Sequence, residues 1–221
     1  MSKEDKSKTG QRPGVFLDRD GTINEDRGYI GDPAEVVLIK GSAEAIRRLN
    51  KRGIPVIVLT NQSGIGRGYY DKKELEAVNR RLDKLLAGKG AHVDGIYYCP
   101  HRPDENCGCR KPGTKLLDEA ARAHGIDLSR SVMVGDKVSD MELARRAGMK
   151  RVLVLTGYGS IALEEVRQGT GGAEGLGGFG GDGRGLADLD LVATDLAEAI
   201  DWILSEDGPL GLEERDEIET G

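Results

Sequence analysis

Aromatic residues are scarce in this chain: Phe, Trp and Tyr make up 4% of 221 residues, with a single Trp and two Phe. A core built from it must be aliphatic. No stretch approaches the roughly 18 consecutive apolar residues of a membrane span. The opening segment "MSKEDKSKTGQRPG" lacks the apolar region of a secretory signal and reads as a flexible leader. Cationic excess is also missing: 32 Lys and Arg stand against 38 Asp and Glu, for a net charge of −6 and a pI near 5.3. Nucleic acid, which needs a broad basic surface, is therefore disfavoured as a partner, and a small soluble substrate fits better. Only three cysteines occur, and the expected compartment is the cytoplasm, where thiols stay reduced and clustered ones are more often metal ligands than disulfides.

What is present is a regular alternation. Nearly continuous β-branched runs at 14–18, 54–60, 93–99, 131–136 and 151–156, with a weaker one at 190–194, predict strands covered on both faces. Helical periodicity falls between and after them at 42–53, 71–90, 114–125, 139–149 and 195–204, several of these segments starting on Ser, Thr or Asp and stopping near Gly. Alternating βα units predict an α/β fold of three layers around a central parallel sheet, whose ligands bind beyond the carboxyl ends of the strands. Length suits one domain, read as 14–204 behind a leader at 1–13. Residues 169–185 carry ten glycines and little that could pack, which predicts a mobile insertion; a phosphate-cradling role is disfavoured because the run neither follows a strand nor opens a helix with a GxxxxGK[ST] pattern. The acidic 205–221 predicts a solvated tail.

The strand ends carry chemistry. The first strand runs into "DRDGT", with Asp18 at its tip and Asp20 two residues on. A carboxylate there, beside a divalent cation that cancels charge repulsion, is a competent nucleophile toward phosphorus, and Asp20 can serve as acid and base. The second strand ends at Thr60 and Asn61, a hydroxyl and an amide suited to phosphoryl oxygens, followed by a glycine-rich loop bearing Arg67. The fourth ends in "GDKVSD", presenting Asp136, Lys137 and Asp140. Hard oxygen ligands from Asp18, Asp20 and Asp136, one of them a backbone carbonyl, suit Mg²⁺. Lys111 adds positive charge for the transferred group.

All three cysteines lie in "YYCPHRPDENCGCRKP", as Cys99, Cys107 and Cys109, together with His101. A Cys3His set on one loop suits closed, tetrahedral, structural Zn²⁺. Fixing that loop would also fix Arg110 and Lys111, which follow Cys109 directly. A redox pair of Cys107 and Cys109 is the rival reading, and it gives no role to Cys99 and His101. His92 and His124 stand near helix ends and read as surface residues.

Asp-x-Asp-Gly-Thr, the strand-end Thr, Lys-Pro before a helix and Gly-Asp-x-x-x-Asp occur in the order of the haloacid dehalogenase (HAD) superfamily phosphatases, and residues 14–157 resemble them. The resemblance implies that Asp18 forms an aspartyl phosphate, that Asp20 protonates the leaving oxygen and then activates water, and that Thr60 and Lys111 stabilise the transferred group. The spacers between the motifs hold no separate cap domain, so an open site is expected. "FLDRDGTINEDRGYI", "LTNQSGIGRGYY", "DGIYYCPHRP", "CGCRKPG" and "MVGDKVSDM" resemble more closely the D-glycero-D-manno-heptose 1,7-bisphosphate 7-phosphatases, zinc loop included. This closer resemblance implies release of the C7 phosphate, giving heptose 1-phosphate for nucleotide-activated heptose synthesis. It also implies substrate contacts from Asp26, Arg27, Gly28, Tyr29, Thr60, Asn61, Gln62, Ser63, Arg110, Lys111 and Lys137. A histidinol-phosphate phosphatase shares the Asp pair and the cysteine loop and is the nearest alternative; a catalytically idle sugar-phosphate sensor would more naturally have lost one of Asp18, Asp20, Lys111 or Asp136. The expected working form is a monomer acting on a small-molecule sugar bisphosphate, with no nucleic acid or membrane partner.

Overall fold

The computed structural model describes residues 11–167 and 189–211. The first ten residues of the expected leader, the glycine-rich 169–185 segment and residues 212–221 of the expected tail lie outside the described residues. The six expected strands are β1 (Val15–Leu17), β2 (Val56–Asn61), β3 (Gly95–Cys99), β4 (Val132–Gly135), β5 (Lys150–Val154) and β6 (Leu191–Ala193). They form one sheet in the order β3-β2-β1-β4-β5-β6, with every pairing parallel. The helices are α1 (Ser42–Lys51), α2 (Lys72–Ala87), α3 (Lys115–His124), α4 (Val138–Ala147), α5 (Gly159–Arg167) and α6 (Leu196–Ile203).

Alternation along each strand sorts the side chains into two cores. Val15, Leu17, Val56, Val58, Val132 and Val134 point to one face, where Ile46 and Leu49 of α1, Val78 and Leu82 of α2 and Ile200 and Ile203 of α6 cover them. Phe16, Ile57, Leu59 and Met133 point to the other and meet Leu117 of α3 and Leu143 and Ala144 of α4. Burial on both faces is why these strands read as unbroken apolar runs. Helix α2 begins where "DKKE" predicts: Asp71 Oδ1 accepts from the Glu74 amide at 2.8 Å, and Glu74 Oε2 accepts from the Asp71 amide at 2.6 Å, a reciprocal capping box. Helix α5 had no counterpart in the sequence reading. It opens on Gly159, leaves Ile161 in solvent and buries Ala162 against Leu153 of β5 and Val138 of α4.

The strand order reverses between β1 and β4. From β1 the chain moves outward through β2 to β3, and from β4 it moves outward through β5 to β6. The loops leaving β1 and β4 therefore diverge and open a crevice at their carboxyl ends. Asp18 and Asp136 follow those two strands directly. Between β1 and β2 lie only a loop with a short 3-10 turn at Pro33–Glu35 and α1, and between β2 and β3 only α2, so there is no separate cap domain. No helix among the described residues is long and apolar enough to cross a membrane. Residues 205–211, assigned to the tail from sequence, turn back at the end of α6, where the Leu210 amide donates to Ile203 O at 3.0 Å.

Candidate active site

A cleft of ≈ 230 Å³ opens at that crevice. On its floor, Lys111 Nζ lies 2.8 Å from Asp18 Oδ1 and 2.6 Å from Asp140 Oδ1, and it donates to Leu59 O at 2.7 Å. All three charged side chains are buried. Burial alone would push the Asp18 carboxyl up, but Lys111 and then Lys137 overcome it and hold Asp18 below the usual carboxylate range. Burial likewise opposes charge on Lys111, and Asp140 and Asp18 reverse this, so the ammonium is held above its ordinary value. Backbone geometry fixes Lys111: its amide donates to Asn61 Oδ1 at 3.0 Å and Asn61 Nδ2 donates to Lys111 O at 3.3 Å.

Asp20 faces a different set of groups. Its carboxylate accepts from Arg19 Nε at 3.2 Å and Nη2 at 3.0 Å, from Asn24 Nδ2 at 2.9 Å and from Gln62 Nε2 at 2.8 Å. Gln62 Nε2 also donates to Thr60 Oγ1 at 2.8 Å, and Tyr70 donates to Gln62 Oε1 at 2.6 Å. Arg19 is 1% exposed, and its Nη1 donates to Asn79 Oδ1 of α2 at 2.9 Å. A fully buried Arg between two strand-end carboxylates is costly unless its donors are used, and the Asp20 and Asn79 contacts use them.

Among the described residues, Asp18, Asp136 and Asp140 offer carboxylate oxygens within 4.8 Å of one another. Asp140 is already engaged by Lys111 and by the Lys137 amide, at 3.1 Å. Asp136 Oδ2 accepts from the Tyr158 amide at 2.8 Å, but its buried Oδ1 has no hydrogen-bond donor. Burial pushes the Asp136 carboxyl up to about 8, and the charges of Asp18 and Asp140 add to this against the opposing pull of Lys137. The orphaned Asp136 oxygen and the neighbouring carboxylate oxygens are donors of the kind that suit a hard divalent ion. The Asp20 side chain is turned away from the group, so what it can offer an ion there is its backbone carbonyl. Gly21 (φ 86°) and Gly157 (φ 56°) pack so closely that a Cβ on either would overlap Asp136 Oδ2, so neither position admits a side chain.

Of the substrate-contact residues expected from sequence, Asp26, Gly28, Tyr29, Asn61, Gln62 and Ser63 line the cleft, as do Thr60, Arg110, Lys111 and Lys137. Arg27 does not: its guanidinium turns to Glu25 in solvent, 2.7 Å away. Lys137 Nζ is 3.0 Å from Asp26, 3.6 Å from Asp136 and 3.8 Å from Asp18. Arg110 Nη1 is a buried atom with no hydrogen-bond partner. Tyr70, Ser139 and Tyr158 also line the cleft and were not anticipated. Tyr158 follows β5, a strand end that carried no acidic or Gly-Lys signal in the sequence.

At the end of β3, Cys99, His101, Cys107 and Cys109 bring their ligand atoms within 4.8 Å of one another. The Cys109 sulfur is 3.2 Å from that of Cys99, 3.4 Å from that of Cys107 and 3.1 Å from His101 Nδ1. These separations exceed the roughly 2.05 Å of a disulfide and match donors converging on one tetrahedral ion. All four residues share the cluster, which disfavours a separate Cys107–Cys109 redox pair. The loop is tied to the active site, because the Gln62 amide donates to Cys99 O at 2.7 Å and the Gly66 amide to Pro100 O at 2.9 Å.

The sheet order, the carboxylates beyond β1 and β4 and the lysine from the β3–α3 loop define a HAD-type hydrolase, and residues 108–174 match the HAD-hydrolase-like family model. The chain is 41% identical to the D-glycero-D-manno-heptose-1,7-bisphosphate 7-phosphatase of Thermosynechococcus vestitus, over 90% of this chain and 98% of that one. It is 49% identical to the D-glycero-beta-D-manno-heptose-1,7-bisphosphate 7-phosphatase of Pseudomonas aeruginosa, over 67% of this chain and 84% of the relative. A solved D,D-heptose 1,7-bisphosphate phosphatase from B. bronchiseptica, complexed with magnesium and phosphate, superposes with a TM-score of 0.74 at 34% identity, covering 88% of this chain and 99% of that one. The chain belongs to the heptose 1,7-bisphosphate phosphatase family.

Proposed function

We propose that this chain hydrolyses the C7 phosphate of D-glycero-D-manno-heptose 1,7-bisphosphate in the cytoplasm, as a monomer, releasing heptose 1-phosphate for nucleotide-heptose and glycoconjugate synthesis. The carrying observation is the buried Asp18–Lys111 pair at 2.8 Å on the floor of an open cleft, with the unpartnered Arg110 Nη1 on the same loop as Lys111. Asp18, kept ionised, attacks phosphorus, and the bond to the C7 oxygen breaks as the aspartyl phosphate forms. Asp20, oriented by Arg19, Asn24 and Gln62, gives a proton to the departing oxygen and then takes one from the water that cleaves the acyl phosphate. Lys111 and the Thr60 hydroxyl stabilise charge on the transferred group. Asp18, Asp136 and the Asp20 backbone carbonyl would hold Mg²⁺, which would supply charge neutralisation when bound.

Arg110 takes the distal phosphate in this reading, and binding energy from that remote group is usable at the transition state. Arg110→Ala is expected to lower kcat/KM for the bisphosphate by about 10²-fold, as for loss of a charge-assisted contact, and to leave a monophosphate ester within a few fold. Equal losses on both substrates remove this role. A histidinol phosphate carries one phosphate and a cationic amine. It would leave Arg110, which lines the cleft, without a second phosphate to meet.

The Cys99, His101, Cys107 and Cys109 cluster is assigned to structural Zn²⁺, whose binding fixes the Arg110–Lys111 stem. Metal analysis of protein purified without chelator is expected to give about one zinc per chain, as a closed four-ligand site requires. Fully active protein that holds no zinc and shows three thiols reactive toward a thiol reagent contradicts the assignment.

A further inference from the structure

We infer that Tyr69, together with Arg67, is a positioning residue that holds the Tyr29 ring as one wall of the substrate cleft; this rests on Tyr29 meeting substrate in the function proposed above. Tyr29 borders two spaces at once, the catalytic cleft and a shallower depression beside it that Tyr69 and Pro33 also line. The Tyr29 and Tyr69 rings meet edge to face, their centroids 4.8 Å apart and their planes at 71°, a favoured arrangement for aromatic pairs. The Arg67 guanidinium carbon stands 5.7 Å from the Tyr29 centroid, within cation–π range. Two residues of the β2–α2 loop thus hold one ring of the β1–α1 loop.

The supporting loop is tied down by backbone hydrogen bonds. The Arg67 amide donates to Ser63 O at 3.0 Å, the Tyr69 amide to Gly64 O at 2.9 Å and the Gly66 amide to Pro100 O at 2.9 Å, the last joining this loop to the cysteine cluster. Tyr29 follows Gly28, which sits at φ 88°, in an exposed turn closed by the Gly28 amide on Asp26 Oδ1. Tyr29 is 49% exposed and Tyr69 62%, so core burial does not account for the pair. Without Tyr69, the Tyr29 ring regains rotamer freedom that substrate must then remove on binding. The groups around Asp18 are untouched, so the chemical step is preserved.

The test is steady-state kinetics of the full chain on heptose 1,7-bisphosphate for wild type, Tyr69→Ala, Tyr69→Phe, Tyr29→Ala and the double alanine variant. Tyr69→Ala is expected to raise KM about three- to tenfold, the scale of an aromatic pair, with kcat within twofold. Tyr69→Phe is expected to restore wild-type KM, because the edge contact needs the ring and not the hydroxyl. In the Tyr29→Ala background, Tyr69→Ala is expected to add nothing, since the ring it supports is gone. An unchanged KM in Tyr69→Ala, a failure of Phe to rescue, or additive losses in the double variant each overturn the inference while leaving the phosphatase reading intact. Wild-type protein that does not turn over the bisphosphate overturns both.

Discussion

Asp18→Asn abolishes phosphate release, by about a thousandfold or more as expected for loss of a nucleophile, while the fold is kept and the melting temperature changes little. The stability half of this result follows from the charge arrangement. Asp18, Asp136 and Asp140 crowd within 4.8 Å, and burial together with the charges of Asp18 and Asp140 drives the Asp136 carboxyl up to about 8. An isosteric amide at 18 relieves the repulsion on Asp136 and gives up the attraction of Lys111 and Lys137 that holds Asp18 ionised, two effects of opposite sign. Lys111 keeps its partner Asp140 at 2.6 Å, so no cation is stranded. Phosphate release assayed alongside thermal unfolding checks both halves, and turnover retained by the pure variant contradicts the aspartyl-phosphate mechanism.

Lys111→Met lowers stability. The side chain is 4% exposed and stands between Asp18 and Asp140, so removing it leaves two buried carboxylates with only the more distant Lys137 ammonium, 3.8 Å from Asp18, to offset them. Breaking a buried pair in this way costs about 3–5 kcal/mol, which for a domain of this size lowers the melting temperature by roughly 10 °C. Activity falls with it, because the transferred phosphoryl group loses its buried cation. The pH dependence distinguishes this cause from lost packing. In wild type, Asp18 is held below its ordinary value, and its contribution to stability is present at neutral pH and lost on acidification. In the variant burial outweighs the remaining pull of Lys137 and the two carboxylates rise above their unfolded values, so the native state takes up protons and regains stability as pH falls. The gap between variant and wild type is expected to narrow between pH 8 and pH 5. A gap constant over that range points to packing alone.

These two positions also show how far the sequence reaches. Asp18 was legible because β1 is an unbroken apolar run and the first charged residue after it must sit at the sheet's edge. Thr60 and Asp136 were found by the same rule, and the cysteine cluster by its spacing. Asp140 was visible beyond β4, but its pairing with Lys111 was not, since 29 positions separate the two and nothing local records the contact. Arg19 drew no reading from the sequence and is buried against Asp20 and Asn79 of α2. Arg27 was expected to touch substrate from the family resemblance, and its guanidinium here meets Glu25 instead of lining the cleft. Tyr158 enters the cleft because the chain bends at Gly157 to bring an amide to Asp136, a requirement set by the carboxylate across the crevice and not by the residues around it.

The most direct test of the central claim is kcat/KM, with Mg²⁺ present, for each anomer of D-glycero-D-manno-heptose 1,7-bisphosphate against histidinol phosphate, followed by phosphate release. The expected result is a preference of at least about 10²-fold for one bisphosphate anomer, the scale set by the second phosphate's charge-assisted contact with Arg110. A preference for histidinol phosphate contradicts the account of the substrate, and leaves Asp18, Asp20 and Lys111 to perform the same chemistry on a different ester.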